Sequence, residues 1–195
     1  VINGDYTIIS NSNFTDCNAS SAEGLGGAIY IEGEETTIQN AIFNECISVD
    51  GGAVFIQGND VHISDSAFVA NKLKDYTDDD NYGGAIYING ERTIISTSTF
   101  EDHSAYTGGS IYINGTDTTI LDSNITKSTA DYGGAVFIQG INAKIEGGNI
   151  SYCTCTYDGG AIYVNGTNAH ISADFAYCNA SSADTPDIIG NGGAI

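Results

Sequence analysis

This sequence predicts an all-β fold, a right-handed parallel β-helix of about seven rungs with roughly 25 residues in each. Three observations predict it. The stretch Gly83-Gly84-Ala85-Ile86-Tyr87-Ile88-Asn89-Gly90 recurs as Gly26-Gly27-Ala28-Ile29-Tyr30-Ile31-Glu32-Gly33 and as Gly51-Gly52-Ala53-Val54-Phe55-Ile56-Gln57-Gly58, and it returns at Gly108, Gly133 and Gly159. The first glycines, at 26, 51, 83, 108, 133, 159 and 192, lie 25, 32, 25, 25, 26 and 33 residues apart, so the basic period is 25 and two intervals carry insertions. The apolar runs are built of Ile, Val, Tyr, Phe and Thr, a strand-forming set, and no stretch reads as an amphipathic helix. One short strand cannot bury its apolar face alone, so a chain that repeats it must stack the copies. Parallel crossovers are right-handed, and each coil sits about 4.8 Å above the last.

Within a rung, the double glycine marks a turn and the next four residues a strand. Successive side chains in that strand alternate, so Ile86 and Ile88 point one way and Ala85, Tyr87 and Asn89 the other. Counting from the first glycine, positions three and five hold Ile29/Ile31, Val54/Ile56, Ile86/Ile88, Ile111/Ile113, Val136/Ile138 and Ile162/Val164. Position twelve holds Ile38, Ile63, Ile95, Ile120, Ile145 and Ile171, with Ile9 in the first rung. Near position seventeen come Phe14, Phe43, Phe68, Phe100, Ile125, Ile150 and Phe175. These columns predict the core, three apolar segments to a rung.

Outside the first strand, Tyr30, Phe55, Tyr87, Tyr112, Phe137 and Tyr163 form an aromatic stripe, expected to be exposed. A bare stripe of this size suits lateral packing of fibres or stacking of sugars; cross-strand stacking that only stabilises the sheet is the alternative. Beside the stripe runs an amide and acid ladder, Asn3, Glu32, Gln57, Asn89, Asn114, Gln139 and Asn165, whose in-register amides can hydrogen-bond along the axis. The insertions fall at one corner, just before the double glycine, within residues 72–82 and 181–191. Loops collected on one face of a solenoid are often its interacting face.

Five Lys+Arg against 25 Asp+Glu give a formal charge of -20. That argues against nucleic acid and anionic membranes as partners. No apolar run reaches the roughly 18 residues a membrane helix needs, no signal peptide is visible, and both ends look cut inside a repeat.

Gly-Gly-Ala-Ile, repeated in register, together with Phe68-Val69-Ala70-Asn71, resembles the polymorphic membrane protein repeat. It is similar to the repeats of chlamydial surface adhesins and of adhesin-like proteins of methanogenic archaea, and the resemblance covers the whole chain. It implies a β-helix at a cell surface, used for adhesion or as a stalk. The chain departs from that pattern at the asparagine, where it has Cys17, Cys46, Asn71, His103, Ser128, Cys153 and Cys178.

Candidate chemistry is sparse. A polysaccharide lyase needs a basic residue and cations for an acidic sugar, yet Lys72, Lys74, Arg92, Lys127 and Lys144 share no column. A hydrolase needs converging carboxylates, and the one cluster, Asp75, Asp78, Asp79 and Asp80, lies on an inserted loop. The expectation is therefore no enzyme. The same four aspartates suit calcium, a hard cation that takes carboxylate oxygens, or are a solvated acidic loop; no other cofactor is expected. His62, His103 and His170 lie rungs apart, unlike the converging ligands of a zinc site. Cys17, Cys46, Cys153 and Cys178 share a column. Neighbouring rungs put Cα atoms at about the disulfide spacing, so these are disulfide candidates, or else buried thiols acting as small hydrophobes. Asn13, Asn18, Asn114, Asn124, Asn149, Asn165 and Asn179 stand in glycosylation sequons.

The ends read into one another. Gly192-Gly193-Ala194-Ile195 followed by Val1-Ile2-Asn3-Gly4 restores the organising motif with Val in the aromatic place. Residues 1–195 then form a single β-helix segment, one unit of a longer fibre that continues head-to-tail through tandem copies or separate subunits. The functional expectation is a non-enzymatic extracellular structural or adhesive surface protein. Its expected partners are copies of itself and a cell-surface glycan or protein. The alternative is a carbohydrate- or receptor-binding adhesin domain, and a polysaccharide-active enzyme comes third.

Overall fold

The computed structural model describes residues 1–21, 24–74, 81–181 and 192–195. Among them there is no helix, and every strand pairing is parallel. The chain coils through about seven turns spaced about 25 residues apart, the expected parallel β-helix.

The first sheet runs in chain order through Ile2–Asn3, Ile29–Glu32, Val54–Gln57, Ile86–Asn89, Ile111–Asn114, Val136–Gln139 and Ile162–Asn165. Its register is one to one. Tyr87 lies beside Phe55 on one side and Tyr112 on the other. The register holds across the first long insertion, where Val54 pairs with Ile86. The second sheet has twelve strands and carries both of the other predicted faces. Strands such as Ile94–Ser96 hold the Ile column and strands such as Thr99–Glu101 the Phe column. The two faces join where Lys144–Ser151 and His170–Ala176 run through a corner that breaks the earlier rungs. Gly147 and Gly148, both at positive φ, form the bulge that permits this.

The three-segment expectation needs one correction, because a fourth short face closes the rung. Ile47–Ser48 pairs with Lys72–Leu73, and Thr154–Asp158 lies between Thr129–Tyr132 and Asn179–Ala180 and pairs with both. Its inward residues, Ser48, Leu73, Ala105, Ala130 and Cys155, are buried but mostly small, so they leave little trace in a hydrophobic pattern.

The predicted core columns are the core. Ile31, Ile56, Ile88 and Ile113 are fully buried, as are Ile38, Ile63 and Ile95. Phe14, Phe43, Phe68 and Phe100 stack along the axis with ring centroids 4.7–4.9 Å apart and planes within 7°. Such pairs contribute about 0.5–1.5 kcal/mol each beyond the area they bury. One inner column is mixed. It reads Thr36, Val61, Thr93, Thr118 and Ala143, and the hydroxyls of Thr36, Thr93 and Thr118 are buried with no hydrogen-bond partner among the described residues.

Corners are made by left-handed residues. Glu35, Asp60, Arg92, Asp117, Asn142 and Asn168 share one such column, and Asn40, Asp65, Thr97 and Asp122 another. Asn and Asp tolerate this region, while Thr97, β-branched at φ 46°, is an outlier. The double glycine has two separate reasons. Gly83 sits at φ 63°, and Gly84 lies so near the next rung that a Cβ would run into the Gly109 carbonyl oxygen.

Two substitutions test this account in denaturant unfolding. Gly84→Ala should cost about 3 kcal/mol, since the clash is with backbone that the next rung holds in place. Thr93→Val should gain about 1 kcal/mol by removing a buried, unpartnered hydroxyl at a position where another rung has Val61.

Candidate functional site

The six stripe residues do come together in one column, but they are not bare. Phe55 and Tyr112 are each only 7% exposed, and Tyr30, Tyr87, Phe137 and Tyr163 are half-buried. From Phe55 to Tyr163 the rings stack face to face, with centroids 4.4–5.4 Å apart and planes within 21°. The expectation of six exposed rings is corrected accordingly. The stack spends the ring faces on one another, and a second row of tyrosines covers the flank. Tyr82 lies 4.6 Å from Tyr112, and Tyr132 lies 6.3 Å from Tyr163. Sequence reasoning passed over this second row. Its members, Tyr82, Tyr106, Tyr132 and Tyr157, stand one or two residues before a double glycine, at the insertion corner.

Between the two rows lies a groove of about 320 Å³, lined by Tyr82, Tyr106, Thr107, Tyr112, Tyr132, Phe137, Gln139 and Tyr163. Burial, then the neighbouring tyrosines and Asp50, push the Tyr112 hydroxyl up to about 12. Burial, then Asp50 and Tyr82, raise Tyr87 as well. Both therefore stay protonated donors at neutral pH. The amide ladder bonds at one step among the described residues, where Asn114 Nδ2 donates to Asn89 Oδ1 at 3.1 Å.

The Cys/Asn column faces inward and carries a polar chain. Asn71 Oδ1 accepts from the Cys46 backbone N–H at 3.0 Å, and its Nδ2 donates to the Phe43 carbonyl at 3.0 Å. These two backbone partners fix the amide's orientation. Nδ2 also lies 3.4 Å from His103 Nε2, which must therefore be the acceptor, leaving the proton on Nδ1. That proton is donated to Ser110 Oγ at 3.0 Å, and Ser110 Oγ lies 2.6 Å from Ser128 Oγ. All four residues are buried. The chain resembles a nucleophile–base pair in connectivity, but its burial makes it a structural network. The sequence holds one signal for it: Ser110 replaces the Ala found at this place in the other rungs, seven residues after His103 departs from its own column.

All five cysteines are thiols. Cys153 Sγ donates to Ser151 O at 3.3 Å and Cys178 Sγ to Ile150 O at 3.4 Å, so the two sulfurs meet at one spot on adjacent rungs. The neighbouring Cys178, then burial, raises Cys153, and the neighbouring Cys153 lowers Cys178. Cys17 and Cys46 repeat the arrangement around Phe14 and Thr15. Cys155 stands apart on the fourth face, pushed up to about 12 by burial and by Asp158 and Asp131.

The remaining candidates are spread out. Six of the sequon asparagines are exposed, while Asn114 is half-buried in the amide ladder. Asp75, Asp78, Asp79 and Asp80 lie outside the described residues. Among the described residues no three His, Cys, Asp or Glu converge as metal ligands. At the ends, Ile2 and Asn3 pair with Ile31 and Glu32. The backbone N–H groups of Ala161 and Ile162 both donate to Ala194 O, at 2.9 and 2.8 Å. Comparison of the chain with protein-family models, with curated proteins and with solved structures finds no match.

The buried histidine gives a pH prediction. Burial lowers His103 from its ordinary 6.5 to about 3. Between these values the unfolded chain binds the proton and the folded chain does not. Stability is therefore full above about 6.5 and falls as the pH drops toward about 3. The loss should be on the order of a few kcal/mol. It should shrink in His103→Asn, which places in this rung the residue that Asn71 supplies in another, when the two proteins are unfolded at pH 7 and pH 4.

Proposed function

We propose that this chain is a non-enzymatic structural and adhesive element of an extracellular surface, a β-solenoid rod serving as stalk or fibre. The polymorphic membrane protein repeat that it resembles is the family reading that goes with it. One observation supports the proposal most: the one-to-one register, in which every rung meets its neighbour through the same columns. Each added rung brings the same Ile and Phe contacts, so a rod of this kind lengthens without needing new interactions. Head-to-tail continuation belongs to the same reading. Ile9, Phe14 and Ala28 line an open cleft at one end together with Val1 and Ile2. A further rung would cover Phe14 there as Phe14 covers Phe43.

The second reading, a carbohydrate- or receptor-binding adhesin, is favoured by the tyrosine-lined groove. It is weakened as a matter of sugar stacking on the stripe, because those ring faces are already stacked on each other.

Joining one, two and three copies in tandem tests the rod. X-ray scattering should show the longest dimension growing by about 34 Å per copy, seven rungs at the inter-strand spacing. Thermal unfolding should shift upward with copy number. Copies that scatter as jointed beads and melt at the single-copy temperature would reject it. A glycan array separates the second reading from the first.

A further inference from the structure

The groove between the two aromatic rows is a feature that the rod does not require. Its floor is Tyr112, Phe137 and Tyr163, and its wall is Tyr82, Tyr106 and Tyr132. The floor rings are stacked along the axis, 5.4 and 4.9 Å apart and within 10° of parallel. They meet the groove with edges and hydroxyls. The wall rings are turned. Tyr132 is 77° from Tyr163 and 68° from Tyr106, and Tyr82 is 45° from Tyr112. A guest in the groove therefore meets ring faces as well as edges.

The surroundings are charged with one sign. Asp50 accepts the Tyr82 backbone N–H at 2.8 Å. Asp131 and Asp158 lie close enough to Tyr132 to hold its hydroxyl protonated, after burial and the Tyr157 ring. Among the described residues no Lys or Arg lines the groove, and the whole chain carries a formal charge of -20. Ring faces attract cations through their quadrupole, and nearby carboxylates add to that attraction. An ammonium ion clothed in methyl or methylene groups also suits apolar aromatic walls, because it is weakly hydrated. A neutral sugar gains nothing from the carboxylates, and a uronate is repelled by them.

We propose that this groove binds an organic ammonium group, the trimethylammonium head of a choline-type ligand being the best match. The site does not depend on whether the rod works as a stalk.

The test is a titration of the whole chain, followed by tyrosine fluorescence. The probes are tetramethylammonium chloride and choline chloride, with potassium chloride, methyl glucoside and glucuronate as controls for ionic strength, sugar stacking and charge. Both ammonium probes should give a saturable change and the three controls none. Tyr106→Leu and Tyr132→Leu should each weaken choline binding about fivefold, since they keep apolar bulk and lose the π face. Gln139→Lys, at an exposed edge of the groove, should weaken it at least as much by repulsion. Tyr152→Leu, at a different corner, should leave it unchanged. Saturation by methyl glucoside without a response to ammonium would replace the proposal with a sugar site. An absence of saturation by any probe would remove the site. Wild-type affinity in folded Tyr106→Leu and Gln139→Lys would also overturn the assignment.

Discussion

Everything in this fold depends on in-register parallel pairing, which sets each residue directly beside its counterpart one rung away. The rule is favourable for some side chains and costly for others. Phe stacks on Phe at 4.7–4.9 Å and Ile on Ile in a sealed column, so the core gains from repetition. Charged columns lose from it, because like charges directly opposite repel. The chain has only five Lys+Arg; three of them pair with acids, and one, Arg92, stands between Asp60 and Asp117 in such a column. Arg92 reaches Asp60 on the neighbouring rung at 2.6 Å, Lys127 reaches Glu101 at 2.7 Å, and Lys144 pairs with Glu146 on its own strand at 3.0 Å. The Arg92 contact holds the Asp60 carboxyl below its ordinary range. These pairs are largely exposed, so each adds little to stability; Arg92 also interrupts a stack of acid.

The period and the inner columns were legible in the sequence because a solenoid repeats its burial pattern along with its turns. Ile95 and Phe100 stand where counting from Gly83 puts them, and both are fully buried. The corners were harder to read. A left-handed residue is announced by Asn or Asp at positions such as Asn40 and Asp65, but Glu45, Ala70, Lys127 and Tyr152 adopt the same conformation and announce nothing. The fourth face was hidden for a different reason. Its buried residues are mostly small, as at Ala105 and Ala130, so no apolar column marks it.

The aromatic site shows a limit of alternation as a guide. Period two says that Tyr87 and Tyr112 point away from the core, and they do. It cannot say what else lies on that side. Tyr82 reaches over from the insertion corner, thirty residues before Tyr112 in sequence and 4.6 Å from it in space. That contact converts an exposed stripe into the floor of a groove. Asp50 enters through the same corner, held by the Tyr82 backbone. The chemistry of the face is thus set by residues outside the repeated strand, at the corner that also holds the longest departures from the 25-residue period.

Near-identical rungs raise the question of which neighbour each should choose. Shifted by one rung, the Ile column still meets Ile and Phe still meets Phe, so the apolar core scarcely distinguishes the correct order from a slipped one. The polar chain does distinguish them. His103 has its two nitrogens met by Asn71 and Ser110, and Ser110 in turn meets Ser128, a set present in one place only. A slip of one rung would set the imidazole beside Cys46 in place of Asn71, and each unmet group of that kind costs about 1–3 kcal/mol. These four residues act as an index mark. They give the folding chain, and any second copy brought against it, a reason to prefer one alignment over all its neighbours.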